Sequence, residues 1–237
     1  MKQAVRRVSG EECEITGASR TDSGAHALGQ VCHFDSDVAI KTEHWPRVLN
    51  KVLPDDLSVL KAKEVPKTFH SRQTALKRKY RYRILVGGRD PLRGRFSAFY
   101  GRPVDVALMD RLAQSLLGEI DFRAFSEEVP KDAHTFRRLY KIGVRQVKDE
   151  VHIDVVGNAF LRGMMRRIAG GLLEAGRGHR TEPDFLELTD PKKRELIQWP
   201  VVMPAKGLTL LSVAYGHKMG DNRIHSRIED PNDLTEE

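Results

Sequence analysis

The clearest periodic pattern in the chain predicts a β-strand over residues 77–86, where apolar and basic side chains alternate. Tyr80 and Tyr82 fall on the face that the alternation predicts to be buried, and Arg81 and Arg83 fall on the opposite face. The basic face has two interpretations. It is either a solvated strand face or a surface for RNA, where a tyrosine can stack on a base.

Other stretches of the pattern predict the rest of the secondary structure. Short strands are predicted at residues 13–18, 31–34, 57–62 and 208–215, and a hairpin at residues 137–147 and 151–156. One helix is predicted at residues 41–50, with Thr42 as its N-cap, and another at residues 105–118, with Asp105 as its N-cap.

A further helix is predicted after Asn158 and carries basic residues within an apolar pattern. Met164 and Ile168 lie four positions apart and predict a buried helix, with Arg166 and Arg167 between them. An arginine buried in such a helix needs a partner, because an unpaired buried charge is costly. The alternative is that both guanidinium groups reach solvent.

Residues 17–34 hold the strongest candidate for chemistry. Asp22 follows Arg20 by two positions in a stretch of small and turn-forming residues, and Ser23 with Gly24 suits a tight turn. Such a loop can present a carboxylate at the edge of a cleft beside a guanidinium, and an oriented carboxylate can act as a nucleophile or a base. From residue chemistry alone, the alternative is an aspartate that only caps a turn or helix.

Composition narrows the class of protein. The 237 residues carry a formal net charge of +7 and a pI of about 9.5, which favours a polyanionic partner. Two cysteines are too few for a disulfide framework and are typical of a reducing compartment. The spacing of Cys13, His26, Cys32 and His33 matches no zinc pattern, so we expect no metal. No apolar run of transmembrane length or secretory leader is visible, and we expect a cytoplasmic protein without a membrane.

Four separated blocks, in order, resemble motifs of the TruA family of tRNA pseudouridine synthases. GASRTDSGAHALGQVCHF, around Asp22, resembles the family's RTD-(A/S)-G-x-H stretch. KRKYRYRILV, around Tyr80, and FLRGMMRRIAG, around Arg166, resemble the second and third motifs. PAKGLTL, with Gly207 and Leu208, resembles the stretch that lines the base pocket of the family.

The resemblance covers residues 11–216 and implies an α+β fold. This fold has two RRM-like halves around a mixed, largely antiparallel sheet with helices on one side. It divides the chain into an N-terminal subdomain at residues 1–100 and a C-terminal subdomain at residues 101–216. A polar tail at residues 217–237 is expected to be disordered. Compared with the family, the chain is expected to lack the first strand and most of the first helix.

The resemblance also implies isomerisation of uridine to pseudouridine at positions 38–40 of the tRNA anticodon arm, by a homodimer and without a cofactor. Asp22 is then the catalytic carboxylate, as nucleophile or base, and Arg166 is its ion-pair partner. The residues implied to bind the substrate are Arg20, Tyr80, Arg166, Gly207 and Leu208. The candidate phosphate contacts, all basic, are Arg72, Lys77, Arg78, Lys79, Arg81, Arg83 and Arg162.

Two other interpretations start from the missing N-terminal elements. In one, the chain is an RNA-binding remnant of the family with impaired catalysis, since a lost strand opens an edge of the sheet. In the other, the missing piece reflects only where the coding start was placed. The intact Asp22, Tyr80 and Arg166 favour the enzyme over the remnant.

Overall fold

A mixed β-sheet forms the centre of the computed structural model, which describes residues 1–127, 129–130, 132–190 and 200–216. In chain order the strands are β1 (Thr16–Gly17), β2 (His26–Ala27), β3 (Cys32–His33), β4 (Ala75–Leu85), β5 (Ala98–Phe99), β6 (Gly118–Asp121), β7 (Phe136–Val147), β8 (Glu150–Gly157) and β9 (Leu208–Tyr215). β1 pairs with β3, and the others form one sheet in the order β2-β9-β4-β8-β7-β6, with β5 beside β4. The β2–β9 and β4–β5 pairs are parallel and the rest antiparallel, so the predicted mixed, largely antiparallel sheet is confirmed.

The α-helices of the described chain are α1 (Lys2–Ser9), α2 (Trp45–Asn50), α3 (Val106–Gln114), α4 (Met164–Gly176) and α5 (Glu182–Glu187). α3, α4 and α5 contribute to the main hydrophobic cluster, where Met109 and Ile168 join Tyr82 and Ile153 of the strands. α1 and α2 share a smaller cluster around Trp45. The α+β class is confirmed. None of the helices in the described ranges is long and apolar enough to cross a bilayer.

β4 follows the sequence periodicity closely on one face. Tyr80, Tyr82 and Ile84 are buried in the main cluster, as the alternation predicts. The opposite face is not uniformly solvated, because Arg81 is only 2% exposed. Its Nε lies 2.7 Å from a carboxylate oxygen of Asp154 on β8, and this pairing offsets the cost of burying the charge.

Local capping explains where α3 begins. The side chain of Asp105 accepts a hydrogen bond from the backbone N–H of Leu108 at 2.8 Å, as predicted for an N-cap. The helix ends at Gln114, before the predicted end at residue 118. Leu116 lies in the turn that follows and is fully buried, so the apolar pattern continues past the helix itself.

The prediction that Thr42 is an N-cap is wrong. Its hydroxyl donates a hydrogen bond to Glu64, and the chain first forms a 3-10 turn over Thr42–His44. The α-helix begins only at Trp45, with Pro46 in its first turn, where a missing N–H costs nothing.

The predicted strand at residues 57–62 is also wrong. The Asn50 side chain accepts from the Val59 backbone N–H at 2.7 Å and donates to the Val59 carbonyl at 2.9 Å. One amide therefore supplies the bonds that a neighbouring strand would supply. The strands predicted at residues 13–18 and 31–34 are only two residues long in the structure. The reason is related, because an extended segment forms a strand only where another strand pairs with it. The predicted tail at residues 217–237 lies outside the described residues.

Candidate active site

The loop that carries Asp22 is fixed at both ends. Before it, β1 pairs with β3, and after it, β2 pairs in parallel with β9. The Asp22 carbonyl accepts a hydrogen bond from the backbone N–H of Ala25 at 2.9 Å, which closes a turn. Gly24 in this turn has a φ of +84°, a conformation that glycine adopts without strain. The sequence of the loop thus sets where the carboxylate stands.

His26 anchors the end of the same loop. Its Nε2 lies 2.9 Å from the carbonyl oxygen of Arg95, and its ring packs against Phe96 with the ring centroids 4.8 Å apart. A carbonyl only accepts, so Nε2 carries the proton and donates it to this bond. His26 belongs to the RTDSGAH stretch, and the contact gives this residue a positioning task that sequence reasoning missed.

Asp22 and Arg166 form an ion pair although they are far apart in the sequence. Nη1 of Arg166 lies 2.7 Å from Oδ2 of Asp22, and the two side chains are 18% and 33% exposed. Arg166 stands in the first turn of α4, so the start of this helix directs the guanidinium at the loop. Within the described residues no hydrogen bond reaches the second oxygen, Oδ1, which leaves it available for reaction.

Arg166 also holds residues 203–207, which pass beside the ion pair. Its Nε donates a hydrogen bond to the carbonyl of Met203 at 2.6 Å. The hydroxyl of Tyr82 donates to the carbonyl of Pro204 at 2.6 Å, so this segment is tied to α4 and to β4. Tyr82 is a functional residue that sequence reasoning missed, since the resemblance pointed to Tyr80 in the same strand.

Gly207 allows the same segment to lie directly on the sheet. A Cβ built at this position would lie 2.6 Å from the Tyr82 ring and 2.9 Å from the carbonyl oxygen of Arg83, closer than real contacts allow. Leu208 follows at the start of β9 and is 8% exposed. Residues 203–208 therefore run beside the Asp22–Arg166 ion pair, and the lining of a base pocket by Gly207 and Leu208 stays a prediction.

Tyr80 is buried close to Asp22. It is 5% exposed and packs edge-on against Phe160, with ring centroids 4.8 Å apart. Burial raises the pKa of the Tyr80 phenol, and the charge of Asp22 adds to the rise, whereas a hydrogen bond with Ser19 and the charge of Arg78 oppose it. Because the net shift is upward, the phenol keeps its proton at neutral pH and can donate a hydrogen bond.

Three of the predicted basic residues stand around this site. Arg20 and Arg72 are exposed, and the backbone of Arg72 is tied to the base of the Asp22 loop through Arg78. Arg162 is 65% exposed in the turn before α4, with its Nε 3.8 Å from Glu127. Each of the three can therefore reach a ligand that covers the site.

Arg78 and Arg81 correct the expectation that they contact phosphate. Both are almost fully buried, and their hydrogen-bond donors are engaged inside the protein. The guanidinium of Arg81 pairs with Asp154, as described above. That of Arg78 donates to four backbone carbonyls, those of Ala18, Arg72, Ala75 and Asn158. Arg78 thus joins the start of the Asp22 loop to the beginning of β4 and the end of β8.

Lys77, Lys79 and Arg83 lie away from the candidate site. They alternate along β4 with Tyr80 and Tyr82, so their side chains emerge on the other face of the sheet. The basic side chains of β4 and its buried tyrosines therefore lie on opposite faces of the sheet and do not contribute to the same surface.

The cysteines and histidines that were weighed as metal ligands do not form a cluster. Cys13 is buried in the smaller hydrophobic cluster and Cys32 is exposed, and both are free thiols. His33 bonds Ser71, and His26 bonds the Arg95 carbonyl. In the described ranges no three His, Cys, Asp or Glu side chains are grouped to hold a metal ion.

Comparison with known proteins shows the family of the chain. A family model described as tRNA pseudouridine synthase matches residues 1–72 and 112–216. The tRNA pseudouridine synthase A of Brevibacillus brevis is 37% identical over 216 residues, covering 91% of this chain and 88% of that protein. The protein of the same name from Limosilactobacillus fermentum is 39% identical over 205 residues, covering 85% and 78%. The chain belongs to the tRNA pseudouridine synthase family.

Proposed function

We propose that this protein converts uridine to pseudouridine at positions 38–40 of the tRNA anticodon arm, with Asp22 as its catalytic carboxylate. The observation that carries the proposal is the Asp22–Arg166 ion pair, with the buried Tyr80 phenol close to the charge of Asp22. One oxygen of Asp22 is held by Arg166, and the other has no protein partner among the described residues.

The isomerisation of uridine needs few components besides this site. The N1–C1′ bond of uridine breaks, the base turns, and C5 joins C1′. N1 gains a proton and C5 loses one, so the isomerisation balances without an oxidant, a cofactor or a second substrate. Asp22 either adds to the sugar at C1′ or takes a proton, and both roles need an ionised, oriented carboxylate.

The other residues act on the base and its strand. A uridine stacked in the anticodon arm must be flipped out to reach a buried pocket. Tyr80 packs against the uracil ring, and its protonated phenol can donate a hydrogen bond during proton transfer. Arg20 helps to displace the base, and Gly207 with Leu208 lines the pocket.

Exposed cations around the pocket hold the phosphates on either side of the flipped nucleotide. We assign this task to Arg72 and Arg162, because both side chains are exposed. We also propose that the protein acts as a homodimer in the cytoplasm. Sedimentation velocity of the purified chain tests whether it is a dimer. The impaired-remnant interpretation is not favoured, because Asp22, Tyr80 and Arg166 form a connected site.

Tritium release tests the proposal directly. A tRNA labelled at uridine C5 loses its label to water as C5 bonds to C1′. We expect release from a tRNA with uridines at positions 38–40 and none when those uridines are replaced by cytidines. Release that persists after this replacement would place the activity elsewhere in the tRNA, and no release from either tRNA would refute the synthase assignment.

Replacing Gly207 by alanine is expected to displace the wall of the pocket. The added Cβ overlaps the Tyr82 ring and the Arg83 carbonyl, so residues 203–207 must move away from β4. A shift of about 1 Å can lower the rate of pseudouridine formation about a hundredfold. The control is Gly88→Ala, since Gly88 has open space around its Cβ position and an ordinary φ. Equal rates for the two variants would contradict the assigned wall.

Replacing His26 by alanine is expected to loosen the Asp22 loop. The loss of the bond to the Arg95 carbonyl and of the packing on Phe96 should lower kcat by about tenfold or more. KM for tRNA should change little, because His26 is not part of the pocket. Glutamine at this position keeps an N–H donor and should recover part of kcat. The exposed His44 provides a matched control, His44→Ala. A rise in KM with kcat unchanged in His26→Ala would argue against a positioning role.

A further inference from the structure

Arg78 is a buried cation beside the candidate site, and the proposed reaction gives it no role. The residue lies near the start of β4 and is 7% exposed. Among the described residues its guanidinium bonds only backbone carbonyls, and no carboxylate pairs with it. A carbonyl oxygen carries only a partial negative charge, so the charge of Arg78 is buried without a counter-ion. Such burial is costly, and a neutral side chain would avoid the cost.

The four hydrogen bonds of this guanidinium reach separate segments of the chain. Nη2 donates to the Ala18 carbonyl at 3.3 Å and to the Arg72 carbonyl at 2.7 Å. Nη1 donates to the Asn158 carbonyl at 2.5 Å and to the Ala75 carbonyl within β4 at 3.1 Å. Ala18 and Asn158 are 60 and 80 residues away from Arg78 in the sequence. One side chain therefore connects segments that no local interaction connects.

Two of these segments carry parts of the candidate site. Ala18 is 1% exposed and lies between β1 and Asp22, so its carbonyl marks the point where the Asp22 loop leaves β1. Asn158 lies shortly before Phe160, whose ring packs against that of Tyr80 with the centroids 4.8 Å apart. A displaced guanidinium would therefore move the Asp22 loop relative to the two packed rings.

Arg78 also lies close to the phenol of Tyr80. The two residues are two positions apart in β4, and alternate residues of a strand share a face. Burial raises the pKa of the Tyr80 phenol, and the charge of Arg78 opposes this rise, which agrees with the placement on one face. The guanidinium thus holds the loop of one proposed reaction group and lies beside the other.

We propose that Arg78 is a positioning residue of the reaction, because its guanidinium fixes the Asp22 loop relative to Tyr80. The inference rests on the proposed function for the roles of Asp22 and Tyr80. Arg78 acts through the backbone that it holds, since its bonds are made inside the protein. The effect on rate is expected to be large, because a misplacement of about 1 Å can cost a hundredfold.

The test compares Arg78→Met with Arg81→Met. Both variants replace a buried arginine of β4 by an uncharged side chain, at positions that are 7% and 2% exposed. The side chain of Arg81 lies on the opposite face of the strand, where it pairs with Asp154. Arg81→Met therefore reproduces the loss of a buried arginine without altering the Asp22 loop. Thermal unfolding of both variants gives a temperature at which each is folded, and all comparisons are made there.

Hydrogen exchange measures the order of the loop independently of activity. The Ala25 N–H donates to the Asp22 carbonyl at 2.9 Å, so its exchange reports opening of the turn that carries the carboxylate. We expect this amide to exchange about tenfold faster in Arg78→Met and at the normal rate in Arg81→Met. An unchanged rate in Arg78→Met would show that the guanidinium does not hold the loop. Equal acceleration in both variants would make general destabilisation the cause, and either result would overturn the inference.

Steady-state kinetics on tRNA measure the consequence for the reaction. In Arg78→Met we expect kcat to fall by about tenfold to a hundredfold with KM unchanged, and in Arg81→Met we expect both to stay normal. Arg78→Lys keeps the positive charge but cannot reach all four carbonyls, so it should recover only part of kcat. Complete recovery would assign the effect to the charge beside Tyr80, and a rise in KM alone would assign it to tRNA binding; both would overturn positioning. If Arg78→Met does not fold, Arg78→Lys replaces it in every comparison.

A double variant with His26→Ala tests whether both residues act on the same loop. The combined loss of kcat should be smaller than the product of the two separate losses, because coupled residues are not additive in free energy. A combined loss equal to that product would contradict a shared loop. Failure of the proposed function is distinguishable, because it would appear as absent tritium release by the unaltered protein, while hydrogen exchange would still report on the loop.

Discussion

Asparagine in place of Asp22 is expected to reduce pseudouridine formation by about a thousandfold or more, while tRNA binding is retained. Asparagine has nearly the same shape, and its amide oxygen can still accept the hydrogen bond that Nη1 of Arg166 donates at 2.7 Å. It carries no charge, however, and can neither add to C1′ nor accept a proton at neutral pH. The fold and the RNA surface should therefore remain while the chemistry stops.

The measurement is tritium release from C5-labelled tRNA under single-turnover conditions, beside filter binding of the same tRNA. Asp35→Asn is the control, since Asp35 is an exposed aspartate near the same loop. A rate for Asp22→Asn above about one tenth of normal would show that Asp22 is not the catalytic carboxylate. Loss of both turnover and binding, with folding intact, would instead make Asp22 a binding residue.

Methionine in place of Arg166 is expected to have the second largest effect. It removes the ion pair to Asp22 and the hydrogen bond to the Met203 carbonyl, so both the carboxylate and the wall of the pocket lose their anchor. We expect a fall in kcat of about a hundredfold or more. Stability should fall by about 1–3 kcal/mol, the usual range for an unmade hydrogen bond to a charged group.

Arg167→Met is the matched control, because it removes the same charge one residue further along α4. Arg167 donates to the Pro200 carbonyl at 3.0 Å and does not contact Asp22. Arg166→Lys tests the charge apart from the geometry. Lysine keeps the positive charge but cannot bond Asp22 and the Met203 carbonyl at the same time. Equal kcat values for Arg166→Met and Arg167→Met would refute the assigned role of Arg166.

The placement of the secondary structure illustrates which sequence signals are dependable. The alternation in β4, the hairpin of β7 and β8, and the Asp105 cap of α3 depend on neighbours a few residues away, and these predictions hold. The predicted strand at residues 57–62 also has a plausible local pattern. It fails because strand formation needs a partner strand, and here the Asn50 side chain bonds the backbone instead.

The arginines show the same division within the site. Family motifs indicated Asp22 and Arg166, and the structure brings them to 2.7 Å. From the sequence alone, all the basic residues around β4 are expected to contact phosphate. The burial of Arg78 and Arg81 against carbonyls and a carboxylate depends on partners that are up to 80 residues away in the chain.

The sequence by itself therefore determined the family and the class of fold, because each depends on a contiguous motif or a local period, and it made Asp22 and Arg166 the candidates for the chemistry. Only the tertiary structure decided that His26 anchors the Asp22 loop, that Tyr82 ties residues 203–207 to β4, and which arginines are buried. The physical reason is that a charge or a backbone carbonyl acquires its role from the groups folded against it, and no local pattern specifies those groups.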